Sequence, residues 1–288
     1  MYCNILVSKY TAIRKLLYSY LLASIDRFYY HQQQQSIIQN QIPLYKVRDD
    51  NRVLYISGVA LRLAKYHNLK SMEIAEIITS QVLAICKENL LVRIVAPGWI
   101  HLELTDRLLV NWLQHITTVD LPDEEQRELK QIINTHCLFA IQYAHARCFS
   151  LILLAQREGI IQFNEPLPEN WQERSLSGLV SAMQIPWLNS ETQLILNHSA
   201  ERYLISELIG AVDSLIFPQD NKQMNWEKLG LDVSQAFETF WSQCRIWGEV
   251  KANCPELTQA RLGLVLATQI VLRVLLVTKL GSVAPFEL

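Results

Sequence analysis

Glycine and proline are scarce, nine of each in 288 residues. A chain with so few residues that break helices favours helix over turn-rich architecture. The nine glycines form neither a G-x-G-x-x-G nor a P-loop, so no phosphate-cradling loop is legible. The six cysteines, Cys3, Cys86, Cys137, Cys148, Cys244 and Cys254, contain no Cys-x-x-Cys pair. With Cys137 and Cys148 on an apolar stripe, that points to reduced, buried thiols in a cytosolic protein. The seven histidines are scattered, with no pair at i, i+4 to hold a metal. No nucleophile elbow occurs. Net charge is only −2 and the pI about 6.4, which argues against a strongly basic, non-specific nucleic-acid binder but leaves room for a local basic face. The first residues carry no small-residue cleavage site, so no signal peptide is expected. The most apolar stretch, residues 262–277, is broken by Arg273 and falls short of the ~20 residues of a membrane span, so it reads as a buried core helix.

What the chain does have is apolar bulk. Half of its residues are hydrophobic and 19% are charged, enough to build a core. Its length suggests about two domains. Residues 1–25 read as a helix, and the glutamine-rich residues 31–41 as a mobile linker. Ser71 is placed as the N-cap of a helix carrying Ile74, Ile77, Ile78, Val82 and Ile85. Residues 91–95 and 100–104 read as two strands of a hairpin around Pro97-Gly98. In the second strand Ile100, Leu102 and Leu104 face the core, while Trp99, His101 and Glu103 face outward. After an acidic turn at 120–125, a long helix is predicted over 128–157, with Ile133, Cys137, Ile141, Ala144, Cys148 and Ile152 on its apolar side. Tyr143 and Arg147 stand one turn apart and project toward one surface. Residues 166–171 read as a loop, a helix is predicted from Ser190, and 220–229 read as a polar loop containing Trp226. A last helix spans 258–280, stopped by Gly281 and Pro285.

Three blocks carry a family resemblance. Leu61-Arg62-Leu63-Ala64-Lys65, Glu73-Ile74-Ala75 and Ala96-Pro97-Gly98-Trp99-Ile100-His101 resemble the N-terminal domain of bacterial arginyl-tRNA synthetases. Gln142-Tyr143-Ala144-His145-Ala146-Arg147 resembles the opening helix of their anticodon-binding domain. Phe237 to Ile246, with its Cys244-Arg245 pair, resembles the late aromatic-rich helix of that domain. The chain departs from the family at Trp99, where phenylalanine is usual, at His101, at Leu288 in place of a terminal methionine, and at Ala140, where a second aromatic is usual. The His-x-Gly-His and Lys-Met-Ser-Lys-Ser sequences of the catalytic domain do not occur, and only about a dozen residues connect the end of the first domain, at Val110 to Ile116, with the helix predicted from residue 128.

The resemblance implies a mostly α fold: a small α+β N-terminal domain over 1–118, then an all-α DALR-type anticodon-binding helical bundle over 126–288. It implies a non-catalytic, cytoplasmic tRNA-binding paralogue connected with translation, with no cofactor and no metal. Trp99 and His101 would meet the D-loop side; Gln142, Tyr143, Arg147 and Arg245 would meet the anticodon arm. The tRNA partner would be arginine tRNA or another, with no membrane association. Read from the residues alone, Tyr143, His145 and Arg147 are equally ordinary helix residues, and Trp99 a packed aromatic. The alternative is a protein-interaction or regulatory module that kept the fold without RNA binding, or a subunit docking to a separate catalytic protein. The cluster Phe237, Phe240, Trp241 and Trp247 is then either core or a partner-facing patch.

Overall fold

The structure, a computed structural model, describes residues 12–31, 42–49, 51–118, 134–161, 185–218 and 224–288. These residues are mostly helical, with one small four-stranded antiparallel sheet. They form two compact units, 12–109 and 110–288. The glutamine-rich stretch from residue 32 onward, the acidic turn at 120–125 and the loop at 166–171 lie outside the described residues.

In the first unit, α1 (Ile13–His31) packs on α3 (Ser71–Cys86), which in turn covers the sheet, while the short α2 (Val59–Leu63) packs on α3 and β4. The strands are β1 (Leu44–Val47), β2 (Leu54–Ser57), β3 (Leu90–Val95) and β4 (Trp99–Leu104), in the order β1-β2-β4-β3. The predicted hairpin is present, with Val95 opposite Trp99 and Leu90 opposite Leu104. Its alternation follows the pleat: Ile100, Leu102 and Leu104 are buried, and Trp99, His101 and Glu103 half-buried on the other face. Helix α3, which packs on β3 and β4, has Ile74, Ile78 and Val82 fully buried. Ser71 is not the N-cap. It is the first helical residue, with Lys70 in the cap position, and its hydroxyl donates to the Pro97 carbonyl. The hairpin turn therefore claims the hydroxyl that local sequence assigns to the helix end.

In the second unit, α5 (Thr135–Arg157) and α9 (Pro255–Val274) form the central pair, with α6 (Ser199–Ile216) and α7 (Trp226–Gln243) packed around them and α8 (Glu249–Asn253) on α9. The chain enters this unit through α4 (Asp106–Thr118), along which the division between the units falls. Asn134 caps α5 by accepting from the His136 N–H at 3.0 Å, so α5 begins at Thr135; the predicted helical residues 128–133 lie outside the described residues. The helix predicted from Ser190 begins instead at Ser199. Asn189 Oδ1 accepts from the Glu191 and Gln193 N–H groups at 3.0 and 2.9 Å, and Thr192 takes a φ of +60°, closing a tight turn. Trp226 lies not in a loop but at the start of α7, capped by Asn225, with Lys279 Nζ 5.1 Å from its ring centre.

Helix α9 runs on through one π-helical turn, Leu275–Lys279, and Gly281 stops it at φ +58°. With that turn the segment is 25 residues, longer than its sequence suggested, because Arg273 is accommodated inside the helix. Both it and α5 are long and apolar enough to cross a membrane by length and composition, but 83% of the α9 window is buried inside the protein, as in a core helix. Cys86, Cys148 and Cys244 are buried thiols as expected, while Cys137 is half-buried and Cys254 exposed at the start of α9.

Candidate functional site

Helix α5 carries two separate rows of side chains beside its buried face. On a helical wheel Gln142, His145 and Phe149 share one row, and Phe139, Tyr143 and Arg147 the neighbouring one. The first row is occupied internally. Gln142 Nε2 donates to the Val283 carbonyl at 3.0 Å and to Ser282 Oγ at 3.2 Å. His145 is fully buried between the Pro285 carbonyl, 2.8 Å from Nδ1, and Gln269 Nε2, 2.9 Å from Nε2. A carbonyl only accepts and an amide nitrogen only donates, so the neutral Nδ1–H tautomer satisfies both. Burial pulls the imidazole pKa down to about 4. Phe286 completes the contact, edge-on to Phe149 at 4.6 Å. The row thus fastens the C-terminal segment along α5.

The second row is open. Phe139 is 58% exposed and Tyr143 45%, and their rings stack at 6.3 Å with 23° between planes. Phe139 and Tyr143 stand at the i, i+4 spacing that lets two rings meet. Arg147 is exposed, and its guanidinium lies 4.9 Å from the ring centre of Trp241 on α7. Trp241 meets Trp247 edge-on at 6.0 Å. The late aromatic cluster accordingly divides: Phe237 and Phe240 are core, while Trp241 and Trp247 are half-buried beside α5. Tyr143, Arg147 and Trp241 form one continuous surface strip of rings and a cation.

Arg245 is exposed beyond the end of α7. Its backbone is fixed from behind, because Arg261 Nη1 donates to its carbonyl. Arg261 also pairs with Glu201, Nε to Oε1 at 2.6 Å, and both side chains are buried. The other carboxylate oxygen of Glu201 accepts from the His198 N–H at 2.9 Å, closing the N-terminus of α6. Burial first, then Glu201, pushes the neighbouring Cys244 thiol up to about 11, so it is not a thiolate at neutral pH.

Trp99 and His101 stand on the outer sheet face of the first unit. His101 lies across from Ile56 and Arg93. Tyr45, Leu91 and Val95 on the same face are 53%, 49% and 43% exposed. The Trp99 ring rests on Gly58, where an added Cβ would come within 2.9 Å of it. Gly58→Ala is therefore expected to displace the indole and cost about 1–3 kcal/mol. Denaturant unfolding followed by tryptophan emission checks this; an unchanged midpoint would mean that the ring does not depend on that space.

Among the described residues no group of His, Cys, Asp and Glu is arranged to hold a metal ion. Sequence reasoning found Tyr143 and Arg147 but not the use of His145, the stacking of Phe139 or the Arg147–Trp241 contact. The first and last join residues far apart in the chain, and only the Phe139–Tyr143 spacing was visible locally. No family model, curated protein or solved structure matches the chain.

Proposed function

We propose that this protein binds RNA of the tRNA class without aminoacylating it, as a synthetase-like module whose second unit is a DALR-type anticodon-binding bundle. The observation that carries this is the open strip Phe139–Tyr143–Arg147–Trp241. Exposed aromatic rings and a guanidinium plane in series are the surface on which unstacked bases bind. A sheet face with Trp99, His101 and Arg93 offers a second contact of the same kind in the first unit.

Tyr143→Ala is expected to weaken tRNA binding about 5- to 150-fold, as the loss of one stacking partner worth ~1–3 kcal/mol. Trp99→Ala is expected to add to that loss. Both are measured by gel shift at fixed low salt, with circular dichroism confirming that the variants remain folded. A wild-type protein that shifts no tRNA would sink the proposal. Arginine-dependent pyrophosphate exchange would refute its non-catalytic half.

A second reading, a protein-interaction module, is favoured by one feature: Leu154, 40% exposed, extends the Phe139–Tyr143 row along the same face of α5. An apolar helix face of that kind also suits a partner helix. Complexes from cell extract that survive RNase but not Tyr143→Ala would favour it.

A further inference from the structure

Glu158 stands at the far end of the strip, about 28 Å along α5 from Phe139 and on the same side of the helix. Its place is fixed by chain geometry. Gly159 adopts φ +67°, the left-handed stop, and Glu158 is the C-cap of α5. Its carboxylate is held from a second direction. Oε2 accepts from Trp247 Nε1 at 3.0 Å and from Lys251 Nζ on α8 at 2.7 Å. Both bonds go to one oxygen, and 33% of the side chain remains exposed. Trp247 is the same indole that meets Trp241, on which Arg147 lies. A carboxylate with one oxygen anchored and the other available therefore sits at the rim of an aromatic platform. Its orientation is set by two donors rather than by a freely rotating stem.

We infer that Glu158 is a specificity-determining residue of the strip: through Oε1 it accepts a hydrogen bond from the exocyclic amine of a pyrimidine stacked beside Trp247, and so favours cytosine over uracil. The inference rests on the RNA-binding reading of the strip. An ionised carboxylate accepts and cannot donate. At position 4 the N4 amine of cytosine satisfies it, whereas uracil places O4 there, one acceptor against another, and carries its donor at N3 instead. Stacking is similar for these two pyrimidines, so the exocyclic group is the difference that counts. The ammonium of Lys251 lies against the carboxylate and offsets its charge, which keeps Glu158 from repelling the phosphates of a bound strand. The same contact, first through its hydrogen bond, holds the carboxyl below its usual range, so it is ionised at neutral pH.

The test compares oligocytidylate and oligouridylate of equal length, binding the whole protein at fixed salt, by fluorescence anisotropy. The wild type is expected to bind the cytidine strand about tenfold tighter, the size of one charge-assisted hydrogen bond. In Glu158→Gln that ratio should fall to about one, because an amide offers a donor as well as an acceptor, while the uridine strand binds at least as well as before. Tyr143→Ala should weaken both strands alike and keep the ratio. Equal binding of both strands by the wild type, or a ratio unchanged in Glu158→Gln, would overturn the role of Glu158 and leave RNA binding standing. Binding of neither strand would overturn both.

Discussion

Arg261→Ala is expected to destabilise the helical unit by about 3–5 kcal/mol, because it strips a buried carboxylate of its partner. Glu201 is fully buried and Arg261 nearly so, at 2.6 Å. Removing the guanidinium leaves a charge in the interior and releases two further constraints: the side of Glu201 facing away from the His198 N–H, and the Arg245 carbonyl held by Nη1. The effect should appear as a large drop in the urea concentration that unfolds the helical unit, with little change in the slope. The double variant Arg261→Met, Glu201→Gln is expected to recover part of the loss, since it removes the stranded charge while keeping an acceptor for the His198 N–H. A loss below about 1 kcal/mol in Arg261→Ala would mean that water reaches Glu201 and the pair is not a buried one. Because the same arginine fixes the backbone of Arg245, the variant should also weaken the proposed RNA surface without touching it.

Acid is expected to weaken the protein through His145. Its pKa is about 4 in the folded chain and near 6.5 when exposed. The unfolded chain therefore binds the proton first. Above pH ~6.5 both states are neutral and the group makes no difference. As pH falls from there toward 4, protons are taken up by the unfolded state, and folding loses roughly 3 kcal/mol; below pH ~4 the contribution is constant. Nothing at the site favours the charged form enough to reverse this. Gln269 faces Nε2 as a donor, and Arg273 adds a positive charge that lowers the pKa further; only the Pro285 carbonyl works the other way. Stability measured by urea unfolding at pH 7, 5.5 and 4.5 should fall more steeply in the wild type than in His145→Gln. The surface carboxylates Glu158, exposed, and Asp49, half-buried, both held below their usual range by basic partners, titrate in either protein and cancel in that comparison. Parallel curves would show that His145 is solvated in the folded state.

The tail contact also explains why the hexapeptide at 142–147 was legible in the sequence and yet misleading about its roles. Its residues alternate between two jobs. Gln142 and His145 point to the segment 282–286, and Tyr143 and Arg147 point to the open row. Sequence spacing separates the two rows by helix geometry, but it does not say which one is covered. Gln142, expected at an RNA surface, spends its amide on the chain's own carbonyl.

The amino-acid sequence by itself determined the features that depend on near neighbours. The period of Ile141, Ala144, Cys148 and Ile152 made α5 a helix. The alternation of β4 put Ile100, Leu102 and Leu104 inside, and Gly281 ended the last helix. Tertiary structure decided whatever turned on competition for a group. Ser71 lost its capping role to a carbonyl 26 residues away. The helix expected at Ser190 moved to Ser199 because Asn189 closed a turn first. The pairings Arg147 with Trp241, His145 with Gln269 and Glu158 with Trp247 join positions roughly 90 to 120 residues apart. Local pattern carries the energy of turns and faces, whereas a buried polar group is satisfied by whichever partner the packed helices bring within about 3 Å, and only the fold fixes that choice.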